Sequence, residues 1–103
     1  MKEWAELIIM KEILPLGSVV SLKRGSKRVM IVGRLQTIPG SDEVYEYCAV
    51  PWPDGLIRSD MMYLFNSEDL ETIWFIGLQD PEEFRFRSIL ASEAEKTGLN
   101  SWN

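Results

Sequence analysis

The sequence predicts an α+β fold, in which a bent five-stranded antiparallel sheet is followed by a C-terminal helix that packs on it. Short alternating and β-branched runs, separated by glycine and proline turns, fill residues 13–78. Residues 80–98 begin with a helix-capping residue, and their apolar residues recur with the period of a helix. The length of 103 residues fits a single domain. A partly open barrel of the SH3-like kind is one form that such a sheet takes.

The strands are predicted from apolar runs bounded by turn residues. In chain order they are Leu16–Lys23, Val29–Gln36, Val44–Val50, Met61–Phe65 and Thr72–Ile76. The second run is apolar on both faces, which is typical of a central strand, and Gly33 within it predicts a bulge or a bend. We expect Gly25 to take a positive φ in the first hairpin and Pro39-Gly40 to form a type II turn.

Helices are predicted at both ends of the chain and before the last strand. Trp4, Leu7 and Ile8 have helical spacing, so residues 1–12 form a short helix or an arm, which stops before Pro15. Asn66 is expected to cap a single helical turn over residues 67–71.

The C-terminal helix has the clearest sequence signals. Asp80 stands at the cap position, Pro81 at the first helical position and Glu83 at the third, as in a capping box. One apolar stripe follows: Phe86, Ile89, Leu90 and Ala94. Gly98 is expected to end the helix as a left-handed cap.

The composition excludes several classes of function. The chain has no histidine, which excludes a Cys/His zinc site, a Ser-His-Asp triad and a Cys-His dyad within it. No apolar run approaches the length of a membrane span, and the N-terminal apolar run is too short for a signal peptide.

The lone Cys48 suits a reducing cytoplasm and a place in the core. The acidic residues cluster where helices begin, as capping explains. We therefore expect no enzyme, catalytic residue, metal or cofactor.

The charge is unevenly distributed along the chain. The net charge is −5, yet residues 11–34 hold six bases and one acid, whereas residues 66–83 hold six acids and no base. Such asymmetry can steer a partner of complementary charge, and solvated turns and helix starts are the alternative explanation. The overall acidity argues against nucleic acid as a partner.

Trp52 is the most suggestive single residue for partner binding. It lies in a loop between Pro51 and Pro53, and a rigidly presented tryptophan makes a good interface anchor. The alternative is a tryptophan folded back over the open end of the sheet. Three further residues are expected to form a polar and aromatic rim around this anchor: Arg34, Tyr45 and Tyr47. For the two tyrosines, cross-strand packing is the other interpretation.

An ordered set of short motifs resembles a small domain-of-unknown-function family of Gram-positive bacteria. The set comprises EILPLGSVVSLK at 12–23, VMIVGR at 29–34, YEY at 45–47 with PWPDG at 51–55, and YLFNSEDL at 63–70. The resemblance covers about seventy residues, from Glu12 to Phe84. Trp52 stands where the family commonly has a tyrosine.

This resemblance implies a non-catalytic role. The family is encoded beside type VIIb secretion loci and LXG-type toxins, and its members act as small cytoplasmic chaperones or targeting partners. The implied partner is the helical N-terminal region of an LXG toxin, with small WXG-like helical proteins as a further class. An immunity protein against the toxin is the alternative. Apart from the resemblance, the basic hairpin together with Tyr45, Tyr47 and Trp52 leaves a small nucleic-acid-binding barrel as a third hypothesis.

Overall fold

The structure is a computed structural model that describes residues 13–97. Its elements are β1 (Val19–Leu22), β2 (Arg28–Thr37), β3 (Val44–Pro51), β4 (Tyr63–Phe65), a 3-10 helix (Ser67–Asp69), β5 (Leu70–Phe75) and α1 (Pro81–Thr97). The sheet forms one compact unit, Leu14–Leu78, and α1 belongs to another. The helix or arm predicted for residues 1–12 and the Gly98 cap lie outside the described residues.

The strands form one five-stranded antiparallel sheet in the order β4-β3-β2-β1-β5. Together with the C-terminal helix, this confirms the α+β prediction. The first four strands run as a meander, and β5 returns to pair with β1. The sheet is open, because within residues 13–97 no pairing joins β4 to β5. Strand β2 lies in the centre, as its apolar faces predicted.

A bulge in β2 reverses which residues face inward. Ile31 lies opposite Ala49, but Gly33 lies opposite Cys48, so Val32 is the extra residue. Before the bulge, Val29 and Ile31 are buried; after it, the buried residue is Arg34. The bulge was predicted from Gly33, and its effect on side-chain alternation follows from the period of two along a strand.

The two turns predicted around glycine have different outcomes. Gly40 has φ +82°, and the Ser41 N–H donates to the Ile38 carbonyl at 3.0 Å, which confirms a turn of type II character. In the first hairpin the prediction for Gly25 is wrong. Arg24 takes the positive φ, 71°, because the Gly25 N–H closes the turn onto the Leu22 carbonyl at 3.0 Å. Arg24 thereby occupies the third turn position, where a type II turn needs positive φ.

The sheet unit has an apolar interior drawn mainly from the three middle strands and β4. Its buried apolar side chains include Val19, Val20, Val29, Ile31, Tyr47, Cys48, Ala49, Val50 and Phe65. The Tyr47 and Phe65 rings stack with centroids 5.5 Å apart. Burial of Cys48 raises the pKa of its thiol and agrees with the core position predicted for it.

The 3-10 helix is tied to β3 through Asn66 and Glu46. The Asn66 N–H donates to the Asp69 carboxylate at 3.0 Å, as in a capping box. The Asn66 side-chain oxygen accepts the Glu46 N–H at 3.0 Å, and the Ser67 N–H donates to the Glu46 carboxylate at 2.6 Å. Asn66 therefore links two elements as well as starting a turn.

Helix α1 begins where the sequence predicted. The Asp80 carboxylate accepts the Glu83 N–H at 2.9 Å, and Glu83 pairs with Arg87 one turn later at 3.0 Å. Half of the predicted apolar stripe is buried, namely Leu90 and Ala94, whereas Phe86 and Ile89 are exposed. Packing of this helix on the sheet stays a prediction.

Candidate functional site

Trp52 is presented by a tight loop directly after β3. Its backbone N–H donates to the Arg28 carbonyl at 2.8 Å, and the Gly55 N–H donates to the Pro51 carbonyl at 2.7 Å. The Asp54 carboxylate accepts from the Lys27 ammonium at 2.8 Å, which holds the pKa of Asp54 below its usual value. The loop is thus fastened to β2 while the Trp52 side chain stays 42% exposed.

Arg34 and Tyr47, two of the predicted rim residues, lie inside the sheet unit instead. They are opposite each other in the β2–β3 register and only 8% and 1% exposed. The Leu14 N–H donates to the Tyr47 hydroxyl at 3.0 Å, and Arg34 donates to the Leu14 carbonyl at 3.4 Å. Both side chains therefore position the segment before β1, and burial raises the pKa of Tyr47.

Tyr45 lies at the far end of β3 from Trp52. Its hydroxyl donates to the Glu43 carboxylate at 2.9 Å, and this hydrogen bond raises the pKa of Tyr45. The strand rise places Tyr45 about 20 Å from Trp52. The structure does not bring the predicted rim together around the anchor, and the partner-binding role of these residues stays a prediction.

Different residues surround Trp52. Together with Trp52 they line an open groove of about 500 Å³, called here the aromatic groove: Gly17, Val19, Arg28, Met30, Trp74 and Phe75. Trp74 is 53% exposed and Phe75 is 60% exposed. The groove therefore presents large apolar side chains to solvent on the sheet surface.

Pairing of β1 with both β2 and β5 assembles the aromatic groove. Val19 lies opposite Met30 on one side and Phe75 on the other. The Arg28 guanidinium lies over the Trp74 ring at 4.0 Å from its centroid, and the Trp74 indole N–H donates to the Ser21 hydroxyl at 3.2 Å. Strands β2 and β5 are far apart in sequence, and β1 between them brings these side chains together.

Sequence reasoning missed Arg28, Trp74 and Phe75 as candidates. One signal was available, since Thr72–Ile76 carries large apolar residues at consecutive positions. A run that places apolar side chains on both faces is typical of a central strand. Within residues 13–97, β5 is instead an edge strand, and Trp74 and Phe75 on it are exposed.

Three other features that could indicate a function are a metal-ligand cluster, a membrane-spanning helix and the acidic residues at the helix starts. Within residues 13–97 there is no group of three or more histidine, cysteine or carboxylate side chains placed to hold a metal ion. In the same part of the chain, no helix is long and apolar enough to cross a membrane. The acidic residues that start the helical turns make the hydrogen bonds of caps, as at Asp69 and Asp80.

A family model described as "Domain of unknown function (DUF4176)" matches residues 13–86, which is most of the chain. The chain belongs to the DUF4176 family. The match spans the sheet and the first turns of α1, so the aromatic groove lies within the DUF4176 domain. No curated protein and no solved structure matches the chain.

Proposed function

We propose that this DUF4176 protein is a non-catalytic cytoplasmic adaptor or chaperone that binds an LXG-type toxin and assists its targeting to a type VIIb secretion system. The observation that carries the proposal is the exposed aromatic groove around Trp52 and Trp74. Contiguous exposed apolar surface on a small domain is typical of an interaction site.

The composition of the groove supports protein binding. Tryptophan and arginine are the residues most enriched among binding hot spots, and Trp52, Trp74 and Arg28 stand side by side here. The Trp52 loop is held by backbone hydrogen bonds and by the Lys27–Asp54 pair. A preorganised loop loses little conformational freedom when a partner binds.

The choice of partner rests on the resemblance to a family encoded beside type VIIb secretion loci. An adaptor for a secreted toxin meets its cargo before export, so we propose that it acts in the cytoplasm. An immunity protein would instead bind the part of the toxin that carries the toxic activity. The two roles therefore differ in the toxin segment that is bound.

Truncation of the toxin tests the proposal. The full chain is co-expressed with the LXG protein of its own locus, with that protein's N-terminal helical region, or with its C-terminal domain. We expect co-purification with the full toxin and the N-terminal region, and none with the C-terminal domain. Binding to the C-terminal domain alone would establish the immunity role instead. Failure to bind any of the three would exclude both roles.

A further inference from the structure

We infer that the aromatic groove receives one face of an amphipathic α-helix, whose apolar side chains contact Trp52 and Trp74 and whose carboxylate pairs with Arg28. The inference deepens the proposed function, because it names the chemistry of the partner segment at that site. It depends on the proposed function only for the assumption that the helix belongs to another protein.

The apolar part of the recognition follows from the groove walls. Trp52, Trp74 and Phe75 form exposed walls, while Val19 is buried. A volume of about 500 Å³ is large enough for several aliphatic side chains. Removal of this apolar area from water favours binding, and association costs offset part of the gain.

Arg28 supplies the charged part of the recognition. Its guanidinium lies on the Trp74 ring and makes no hydrogen bond or ion pair with any of the residues that the structure describes. A guanidinium has five N–H donors and binds a carboxylate through parallel hydrogen bonds. Lys27, the preceding residue in the chain, is in contrast already paired with Asp54. An exposed, unpaired arginine in an apolar groove therefore favours an acidic partner over a basic one.

The width of the groove favours a helix over an added strand. Its lining residues come from β5, β1 and β2, from Gly17 just before β1 and from the Trp52 loop directly after β3, and these four strands are consecutive in the sheet. Four neighbouring strands span about 14 Å, and a helix with its side chains is about 10–12 Å across. An added strand would pair with a sheet edge, whereas the groove lies across the strands.

Two synthetic helical peptides of about 18 residues test the inference without the toxin. They share one leucine-rich face and differ only in the flanking positions, which are glutamate in one peptide and lysine in the other. Titration into the full-length protein is followed by calorimetry. We expect the glutamate peptide to bind about tenfold more tightly than the lysine peptide.

Variants assign the effect to the groove. Arg28→Gln is expected to lower affinity for the glutamate peptide about tenfold, and Trp74→Ala by about tenfold or more. Arg58→Gln is the matched control for charge, because Arg58 pairs with Asp60 outside the groove. Tyr63→Ala, on the opposite edge strand, is the control for a lost exposed aromatic ring. Both controls should bind like the unaltered protein, and melting curves verify that every variant is folded.

Several results would overturn the inference. Equal binding of the two peptides, binding of neither, or an Arg28→Gln protein that binds like the Arg58→Gln control would each do so. Sedimentation equilibrium measures self-association of the unaltered protein and of Trp74→Ala. If the unaltered protein is a dimer and Trp74→Ala is a monomer, the occupant of the groove is a second copy of the chain, and the inference is wrong. The peptide titrations and the toxin co-purification are independent experiments. If the peptides fail to bind as expected, the adaptor role is unaffected; if the toxin fails to co-purify, the peptide result is unaffected.

Discussion

Replacing Tyr47 with phenylalanine removes a single buried oxygen that holds the segment before β1. The Tyr47 hydroxyl accepts the Leu14 N–H at 3.0 Å, and the residue is 1% exposed, so water cannot readily replace it. Loss of one partner from such a hydrogen bond costs about 1–2 kcal/mol. In a domain of this size each kcal/mol lowers Tm by about 4–8 °C. Urea unfolding followed by circular dichroism measures the change.

Tyr45→Phe is the matched control for this experiment. The Tyr45 hydroxyl donates to Glu43 at an exposed position, so its removal should change the free energy of unfolding by less than about 0.5 kcal/mol. If Tyr47→Phe costs no more than Tyr45→Phe, the hydroxyl does not hold Leu14 in solution, and the role assigned to it here is wrong.

The ionisation of Tyr47 makes the free energy of unfolding depend on pH in the alkaline range. Burial raises the pKa of this phenol above its usual value of about 10. The folded state therefore keeps the proton to higher pH than the unfolded state, and stability falls as pH rises from about 10 through the folded pKa. Tyr47→Phe should flatten that alkaline fall, which urea titrations at a series of pH values measure.

Two further substitutions, each with its own control, test packing at one position in the sheet unit and at one position in α1. Gly77→Ala should lower the free energy of unfolding by about 1–3 kcal/mol, because its Cβ would overlap the Leu16 carbonyl, whereas Gly25→Ala meets only ordinary contacts and should cost far less. Leu90→Ala should cost about 2–5 kcal/mol and exposed Ile89→Ala less than about 1 kcal/mol, by thermal unfolding. A Leu90→Ala loss below about 0.5 kcal/mol would show that this position is not packed in solution.

The parts of the fold that could be predicted are those fixed by local chemistry. The cap at Asp80 and the proline after it set the start of α1, and Gly40 set a turn that needs positive φ. The central place of β2 was expected from its run of consecutive apolar residues, and the strand pairs with β1 on one side and β3 on the other. Each of these signals lies within a few residues of the feature that it determines.

The location of the candidate site depends on features that are not local. The bulge at Val32 turns Arg34 inward, so a residue predicted for the rim became a buried support for Leu14. The pairing of β1 with β5 brings Trp74 onto Arg28, and nothing near either residue in sequence indicates that contact. Trp52 alone was anticipated, because its flanking prolines mark an exposed loop.

The most direct test of the account is the affinity of Trp52→Ala for the N-terminal helical region of the LXG toxin. Isothermal titration should show a loss of about 2 kcal/mol or more, about 30-fold in Kd, as expected for truncation of a hot-spot tryptophan. The melting curve should change little, because Trp52 is 42% exposed and its loop is held by backbone hydrogen bonds. An unchanged Kd together with a clearly lower Tm would contradict the account and make Trp52 a structural cover for the sheet.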